Sequence, residues 1–278
     1  MKKEEEKIVL QVGEVKPTWS KETAPNFFNR TPTEYVKLPL SSLGDRGLST
    51  DTIEGIIKGL PDGCYVGGGL VTSMLQAKNE FKDIDVFCTS ETAFVSLFNL
   101  LSTLEEKPKK VKKDPLEALM DKARGVEGEE DTQDIHKHLR GYKLSPNFDI
   151  KAFLSDSVKN RYATFVHDKQ PPIQIMRLGW YDSPEHVIDT FDFTIVQAIV
   201  DRDYVYMNPL TPLDLSRKRL VLHRMQFPAS TLRRLIKYTH KGYFACPGSL
   251  VTISQAIIDY GQGGRMDILT EDQFVYLD

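Results

Sequence analysis

Three consecutive glycines followed by an Asp-x-Asp pattern are the strongest constraint on how this chain can fold. Gly67, the first of the three, precedes Asp83 by sixteen residues, and Asp85 follows two positions later. Glycine lets the backbone come close to a phosphate and leaves the amides of a following helix free to bind it. Two acids spaced by two in a predicted strand point to one face of the sheet, where paired carboxylates suit Mg²⁺. The segment therefore predicts a strand, a glycine turn, a short helix and a second strand that together bind a nucleoside triphosphate.

This order of elements resembles the nucleotidyltransferase superfamily, which includes DNA polymerase beta, the poly(A) polymerases and the tRNA nucleotidyltransferases. Residues 66–87 carry the resemblance: an apolar residue, paired glycines, a helix, and then Asp-apolar-Asp-apolar. The tRNA nucleotidyltransferases have an Arg-Asp pair soon after the glycines, whereas this chain has Val71 and Thr72 there. The resemblance implies transfer of a nucleotidyl group, but the departure argues against CCA addition to tRNA.

The resemblance also implies roles for individual residues. Asp83 and Asp85 would bind Mg²⁺ or Mn²⁺, with two ions about 3.5–4 Å apart between them and the triphosphate. Gly67 and Gly68 would seat the phosphates. Thr72 and Ser73, one helical turn further on, would add hydroxyls to the phosphate site, although an ordinary place on the helix surface is an equally good interpretation.

A third carboxylate is expected in this superfamily on a later, neighbouring strand, and here the sequence is ambiguous. The predicted strand at residues 173–177 has Gln174 where an acid is usual, and a neutral amide is a poor ligand for Mg²⁺. Asp149, in a strand of its own, and Asp192, in the sequence Phe-Asp-Phe, are the two candidates to replace it. We favour Asp192 as the third catalytic residue, against the alternative that it only caps a helix.

A closer resemblance concerns the same region. The glutamine strand, the Ser-Pro-Glu turn at residues 183–185 and the Phe-Asp-Phe sequence at residues 191–193 are similar to nucleotidyltransferase-like proteins of large phages and giant viruses. In that group, glutamine on the strand is ordinary. The resemblance implies a phage or viral protein and leaves its substrate open.

A basic helix is predicted at residues 230–244. Arg233, Arg234, Lys237 and Lys241 form one face of it, opposite apolar residues. Such a face can hold a triphosphate or the backbone of a nucleic acid, and we select Arg234 and Lys237 as nucleotide-binding residues. Tyr238, on the same helix, could stack on a base.

Composition limits the setting of the protein. Of its 278 residues, 40% are hydrophobic and 27% charged, and the net charge of −3 gives no overall attraction to nucleic acid. Three widely spaced cysteines make neither a disulfide framework nor a zinc pattern, which favours a cytoplasmic location, in the host if the protein is viral. No segment reaches the roughly 18 apolar residues of a membrane span, and no signal peptide is predicted.

These patterns predict an α+β fold with three parts. Residues 1–44 form an N-terminal arm, and residues 45–200 form a nucleotidyltransferase core with a mixed, mainly antiparallel sheet and flanking helices. A charged insertion at about 105–138 lies within the core, and its lysines either face solvent or guide a polyanion. Residues 201–278 form a helical C-terminal part. Helices are predicted at about 50–60, 92–104, 185–200 and 230–244, and strands at 8–12, 148–153, 162–166 and 173–178.

The predicted function is metal-dependent transfer of a nucleoside monophosphate from ATP or another NTP to an acceptor, with release of pyrophosphate. The acceptor is an RNA 3′ end, a protein hydroxyl or a second nucleotide. The alternative is a non-catalytic phage or viral protein on the same fold that binds a nucleotide or a host protein, and Gln174 is the best argument for it.

Overall fold

The computed structural model describes residues 34–43, 51–78, 81–104, 135–148, 162–177, 179–225 and 227–262. Strands within these ranges form two sheets: β1 Val36–Pro39, β2 Cys64–Gly67, β3 Ile84–Cys88, β4 Lys143–Leu144, β5 Tyr162–Val166, β6 Ile173–Met176, β7 Ala198–Val200, β8 Tyr204–Met207, β9 Arg219–Leu220 and β10 Phe244–Ala245. The α-helices there are α1 Asp51–Gly59, α2 Gly68–Leu75, α3 Glu91–Thr103, α4 Pro184–Asp189, α5 Thr211–Ser216, α6 Pro228–His240 and α7 Pro247–Gln262. Single 3₁₀ turns span Leu40–Leu43 and Thr194–Val196.

The main sheet has eight strands in the order β1-β8-β7-β2-β3-β6-β5-β4. Among these described strands, β3 and β6 run parallel and every other neighbouring pair is antiparallel. Strands β9 and β10 form a separate small parallel sheet. This arrangement confirms the predicted α+β fold with a mixed, mainly antiparallel sheet and flanking helices.

The centre of the sheet separates an apolar face from the face that carries the acids. Ile84, Val86 and Cys88 of β3 are fully buried in a cluster that includes apolar residues of α1 and α3. Phe87 alternates with them and belongs to a different apolar cluster. Because successive side chains of a strand point to opposite faces, Asp85 lies with Phe87 on the face opposite α1 and α3.

Several sequence-based predictions of local structure are confirmed. Helices α1 and α3 lie where apolar periodicity places them. The structure adds the cap of α3, where the Ser90 side chain accepts a hydrogen bond of 3.0 Å from the amide of Ala93. The strands predicted at 162–166 and 173–178 are β5 and β6, which pair antiparallel. The predicted strand at residues 8–12, nearly all of the one at 148–153 and most of the charged insertion lie outside the described residues.

The helix predicted at residues 185–200 is wrong from residue 190 onward. Helix α4 ends at Asp189, and Ala198–Val200 forms the central strand β7, between β2 and β8. The Gln197 side chain donates a 3.1 Å hydrogen bond to the carbonyl of Ile188, which holds the end of the helix against the start of the strand. An apolar run that is buried throughout has no visible period, so sequence alone does not distinguish a buried strand from a buried helix.

The C-terminal part combines helices with one strand of the main sheet. Leu215, Leu235 and Ile253, from α5, α6 and α7, share an apolar cluster with Phe193. Strand β8 pairs with β7 and β1 in the main sheet, and the limits of the predicted parts remain a prediction. None of the helices in the described ranges is both long and apolar enough to span a membrane.

A polar network joins three distant segments beside the sheet. The carboxylate of Asp189, at the end of α4, accepts a 3.2 Å hydrogen bond from the Tyr35 hydroxyl and lies 3.2 Å from the Arg224 guanidinium. His223 Nε2 lies 2.8 Å from the same carboxylate. Burial alone would raise the pKa of Asp189, but the hydrogen bond and charge of His223, with the charge of Arg224, outweigh burial and lower it.

We expect the stabilisation from this network to be lost in acid. The pKa of Asp189 is lower in the folded state than in the unfolded chain, where an aspartate titrates near about 3.9. The contribution is therefore complete above about pH 4 and is lost as the pH falls further. Urea unfolding measured across this range should show a flatter acid dependence for Asp189→Asn than for the wild type. Asp203→Asn, at an exposed position, is the control, and equal slopes for all three proteins would contradict the prediction.

Candidate active site

The glycine turn after β2 brings the backbone against an acid of β3. Gly68 begins α2 with φ of +68°, a conformation that residues with a Cβ rarely adopt. A Cβ on Gly68 would lie 2.3 Å from Oδ2 of Asp85. A Cβ on Gly67 would lie 2.9 Å from the Phe87 ring. Each of the two predicted glycines is thus needed for a close approach, whereas a Cβ on Gly69 would meet no atom within 4 Å.

The two acids predicted to bind metal are close to each other: Asp85 is in β3, and Asp83 immediately precedes that strand. Burial, and next the charge of Asp83, raise the pKa of Asp85 to about 7, while Lys237 and Arg234 act to lower it. The effect of all three charges on Asp85 places the acid pair and the basic helix at one site. Two mutually repelling carboxylates with a glycine backbone at their side are a donor set that a divalent cation would relieve.

Gln174 lies directly beside this pair. In the parallel pairing of β3 and β6, Gln174 is the partner of Asp85, and Gly67 is the partner of Asp85 on the other side. Directly paired residues of neighbouring strands have side chains on the same face. The glutamine therefore occupies the strand position, next to the second acid, where the resemblance leads one to expect a third carboxylate.

Asp192 is close to the basic helix, but its carboxylate already has partners. Its Oδ2 accepts hydrogen bonds of 2.5 Å from Arg234 and 3.0 Å from the Thr231 hydroxyl, and the residue is 8% exposed. These bonds orient Arg234, whose pKa is raised chiefly by the charge of Asp192. A catalytic role for Asp192 remains a prediction, and Asp149, the other candidate, lies outside the described residues.

Breaking the Asp192–Arg234 pair is expected to destabilise the protein. Arg234→Gln leaves a nearly buried carboxylate without its cation, which should lower the free energy of unfolding by about 1–3 kcal/mol. Arg233→Gln removes the same charge from the neighbouring position of α6 and is the matched control. Urea unfolding at neutral pH measures both variants, and an equal loss in the two would show that the pair has no specific role.

The other predicted site residues differ in how accessible their side chains are to a ligand. Lys237 is exposed on α6, whereas Ser73 is buried in α2. The Thr72 hydroxyl donates a 3.1 Å hydrogen bond to the carbonyl of Gly68. The Tyr238 ring lies edge-on to Phe193, 6.1 Å between ring centroids, and burial raises the Tyr238 pKa. The phosphate contacts of Thr72 and Ser73 and the stacking role of Tyr238 stay predictions.

Thr231 is the site residue that sequence reasoning missed. It is fully buried, and its hydroxyl helps to hold Asp192. It precedes Arg234 by three positions, so the two lie on one side of α6, which is the only local signal of their shared partner. Among the described residues, no group of three or more His, Cys, Asp or Glu side chains is arranged to hold a metal.

A known protein family matches this chain. A family model described as "Gad2: Gabija anti-defense 2 family protein" matches residues 40–218. Comparison with curated proteins gives no match.

Solved structures of CCA-adding enzymes are similar in fold. One, in complex with ATP, is 15% identical with a TM-score of 0.50, over 82% of this chain and 48% of that one. Another, with CTP, is 14% identical with a TM-score of 0.48, over 81% of this chain and 46% of that one. The Thermotoga maritima enzyme with tRNA is 14% identical with a TM-score of 0.46, over 81% of this chain and 46% of that one.

At such identities the first of these structures shows the fold alone. It confirms that the fold is that of a nucleotidyltransferase, as the glycine and Asp-x-Asp pattern predicts. The chain spans about half the length of these solved structures.

Proposed function

We propose that this chain, which belongs to the Gad2 (Gabija anti-defense 2) family, is a metal-dependent nucleotidyltransferase. It would move a nucleoside monophosphate from an NTP to an acceptor and release pyrophosphate. The observation that carries the proposal is the close approach of Gly68 to the Asp85 carboxylate, on which the charge of Asp83 also acts. The glycine turn would bind the phosphates, and the two acids would bind the metal. Because the turn lies against one of these acids, they would form one site.

The residues present fit a divalent cation of the Mg²⁺ or Mn²⁺ type. Asp83 and Asp85 would hold it, since carboxylates with substrate phosphates are the ligands that Mg²⁺ prefers. When bound, the ion would neutralise charge on the triphosphate and on the departing pyrophosphate. Because Gly68 has no Cβ, the Asp85 carboxylate can lie directly against the start of α2.

The basic helix would complete the phosphate site. Lys237 is exposed, and both Lys237 and Arg234 act on the Asp85 carboxylate through their charges. Arg234 is oriented by Asp192 and so cannot swing freely away. In the reaction, an acceptor hydroxyl oxygen bonds to the α-phosphorus, the bond to the α–β bridging oxygen breaks, and the hydroxyl proton passes to solvent. Asp192 would act in this scheme by positioning Arg234.

The family description supplies a biological setting. A Gabija anti-defense protein supports the predicted phage or viral origin, and we propose that the transfer reaction serves the anti-defense role. The acceptor would then be an RNA 3′ end, a protein hydroxyl or a nucleotide that is present in cells with Gabija defence.

The decisive experiment compares labels on the two ends of the triphosphate. The purified protein is incubated with Mg²⁺ or Mn²⁺ and each NTP, labelled with ³²P at the α or the γ position, in extracts of cells with and without Gabija. Nucleotidyl transfer labels an acceptor from the α-labelled NTP alone, and the γ-labelled NTP gives labelled pyrophosphate. Label in the acceptor from the γ position would instead show a kinase and contradict the proposal.

A second candidate is a non-catalytic protein that binds a nucleotide or a host protein. The position of Gln174, beside Asp85, favours it because an amide replaces an expected anionic ligand. It predicts nucleotide binding without transfer of either label, measured on the same folded protein by equilibrium dialysis.

A further inference from the structure

We propose that the site takes one divalent cation with its nucleotide instead of two, and that Gln174 sets this number. The inference rests on the proposed function insofar as the ligand is a metal–nucleotide complex, but it concerns binding and not turnover. It revises the two-ion expectation drawn from the sequence.

The first argument is the position of Gln174. It is the direct strand partner of Asp85, its side chain lies on the same face, and its amide carries no charge. Two ions about 3.5–4 Å apart need carboxylate ligands for both, in addition to the phosphates of the nucleotide. Asp83 and Asp85 supply two carboxylates, and the neighbouring strand position supplies the neutral amide of Gln174 in place of a third.

The second argument is that Asp192, the acid favoured as the third carboxylate, already has partners. Asp192 gives its Oδ2 to Arg234 and Thr231, so binding a metal there would release a guanidinium and a hydroxyl from their partner. Such an exchange leaves a cation uncompensated beside a second cation. In the residues that the structure describes, no third metal-binding side chain joins the pair.

The third argument is the positive charge that the protein itself brings. Lys237 and Arg234 both act on the Asp85 carboxylate. Arg234 is balanced by Asp192, whereas the exposed Lys237 adds a positive charge next to the acids. A second divalent ion would therefore add positive charge beside Lys237, which already acts on the Asp85 carboxylate.

The test counts ions without requiring turnover. Mn²⁺ is titrated into the protein with an α,β-methylene NTP, chosen as the one that binds best, and the number of ions is read by equilibrium dialysis. Electron paramagnetic resonance of the same samples distinguishes an isolated Mn²⁺ from a spin-coupled pair. The wild type is expected to bind one ion per bound nucleotide and to give the isolated signal.

Gln174→Glu is expected to create the second site. The added carboxylate should tighten binding of a second Mn²⁺ by about tenfold or more and produce the coupled signal. Gln174→Leu removes the amide without adding charge and should still bind one ion. Ser254→Glu adds a carboxylate at an exposed position of α7 and should also bind one.

Some outcomes would overturn the inference. A spin-coupled pair of Mn²⁺ ions in the wild type would overturn it. Loss of that coupled signal in Asp149→Asn would then identify Asp149 as the third acid. No ion bound with the nucleotide, or a single ion in Gln174→Glu, would also overturn it. Failure of the proposed function is a separate result, because it appears as absent label transfer while the ion count is still measured.

Discussion

Alanine at Gly68 is expected to reduce nucleotidyl transfer by about 100-fold or more, whereas alanine at Gly69 should leave it nearly unchanged. Gly68 has a positive φ, which costs a residue with a Cβ about 1–2 kcal/mol. In addition, the new methyl group would lie 2.3 Å from Asp85 Oδ2, so the carboxylate or the turn must move. A displacement of about 1 Å in a reacting group can cost about 100-fold in rate.

Gly69→Ala is a matched control because the two glycines are neighbours in α2. The Cβ at Gly69 meets open space, and alanine favours the helix. Initial rates with α-labelled NTP measure transfer, and circular dichroism shows whether each variant is folded. Full activity in a folded Gly68→Ala protein would show that the contact with Asp85 has no part in the reaction.

Replacing Asp85 by asparagine is expected to abolish transfer and yet to stabilise the fold. Asparagine keeps the shape but loses the charge that holds the cation, so we expect a loss of about 1,000-fold or more, equivalent to about 4 kcal/mol. The gain in stability follows from the raised pKa of Asp85, about 7, which burial and Asp83 cause.

The sign of the stability effect depends on pH. Because the pKa of Asp85 is higher in the folded state than in the unfolded chain, the fold favours the protonated acid. Stability without metal therefore falls as the pH rises from about 4 to about 7, and above that the whole cost of the buried charge is present. Asp85→Asn should remove this cost and raise the Tm at pH 8 by about 2–4 °C for each kcal/mol removed.

Thermal unfolding without metal, at pH 5 and pH 8, measures this effect. The difference between Asp85→Asn and the wild type should be larger at pH 8. Asp203→Asn, at an exposed acid, should show no such difference. A lower Tm for Asp85→Asn at pH 8 would mean that the ionised carboxylate has stabilising partners and would contradict the electrostatic argument.

The predictions that the structure confirms rest on local patterns in the sequence. The strand that carries Asp85, the glycine turn at the start of α2 and the helices α1 and α3 each depend on residues close together in the sequence. Their geometry follows from the strand period, from the freedom of glycine and from the free amides at the start of a helix. Such features are therefore visible in any sequence that contains them.

Long-range pairing decided what the sequence left ambiguous or gave wrongly. Ala198–Val200 is a strand because β2 and β8 lie on either side of it, and nothing local in an apolar run indicates those partners. Asp192 binds Arg234, which is 42 residues away in the sequence. This contact determines whether the charge of Arg234 is already balanced within the protein.

The sequence by itself therefore determined the kind of site: a glycine turn and an acid pair on a nucleotidyltransferase fold. Only the tertiary structure decided which side chains surround it, with Gln174 beside Asp85 and Asp192 bound to Arg234. The physical reason is that the side chains of one strand follow from consecutive residues of the sequence. The strands that lie next to it are instead determined by packing across the whole sheet.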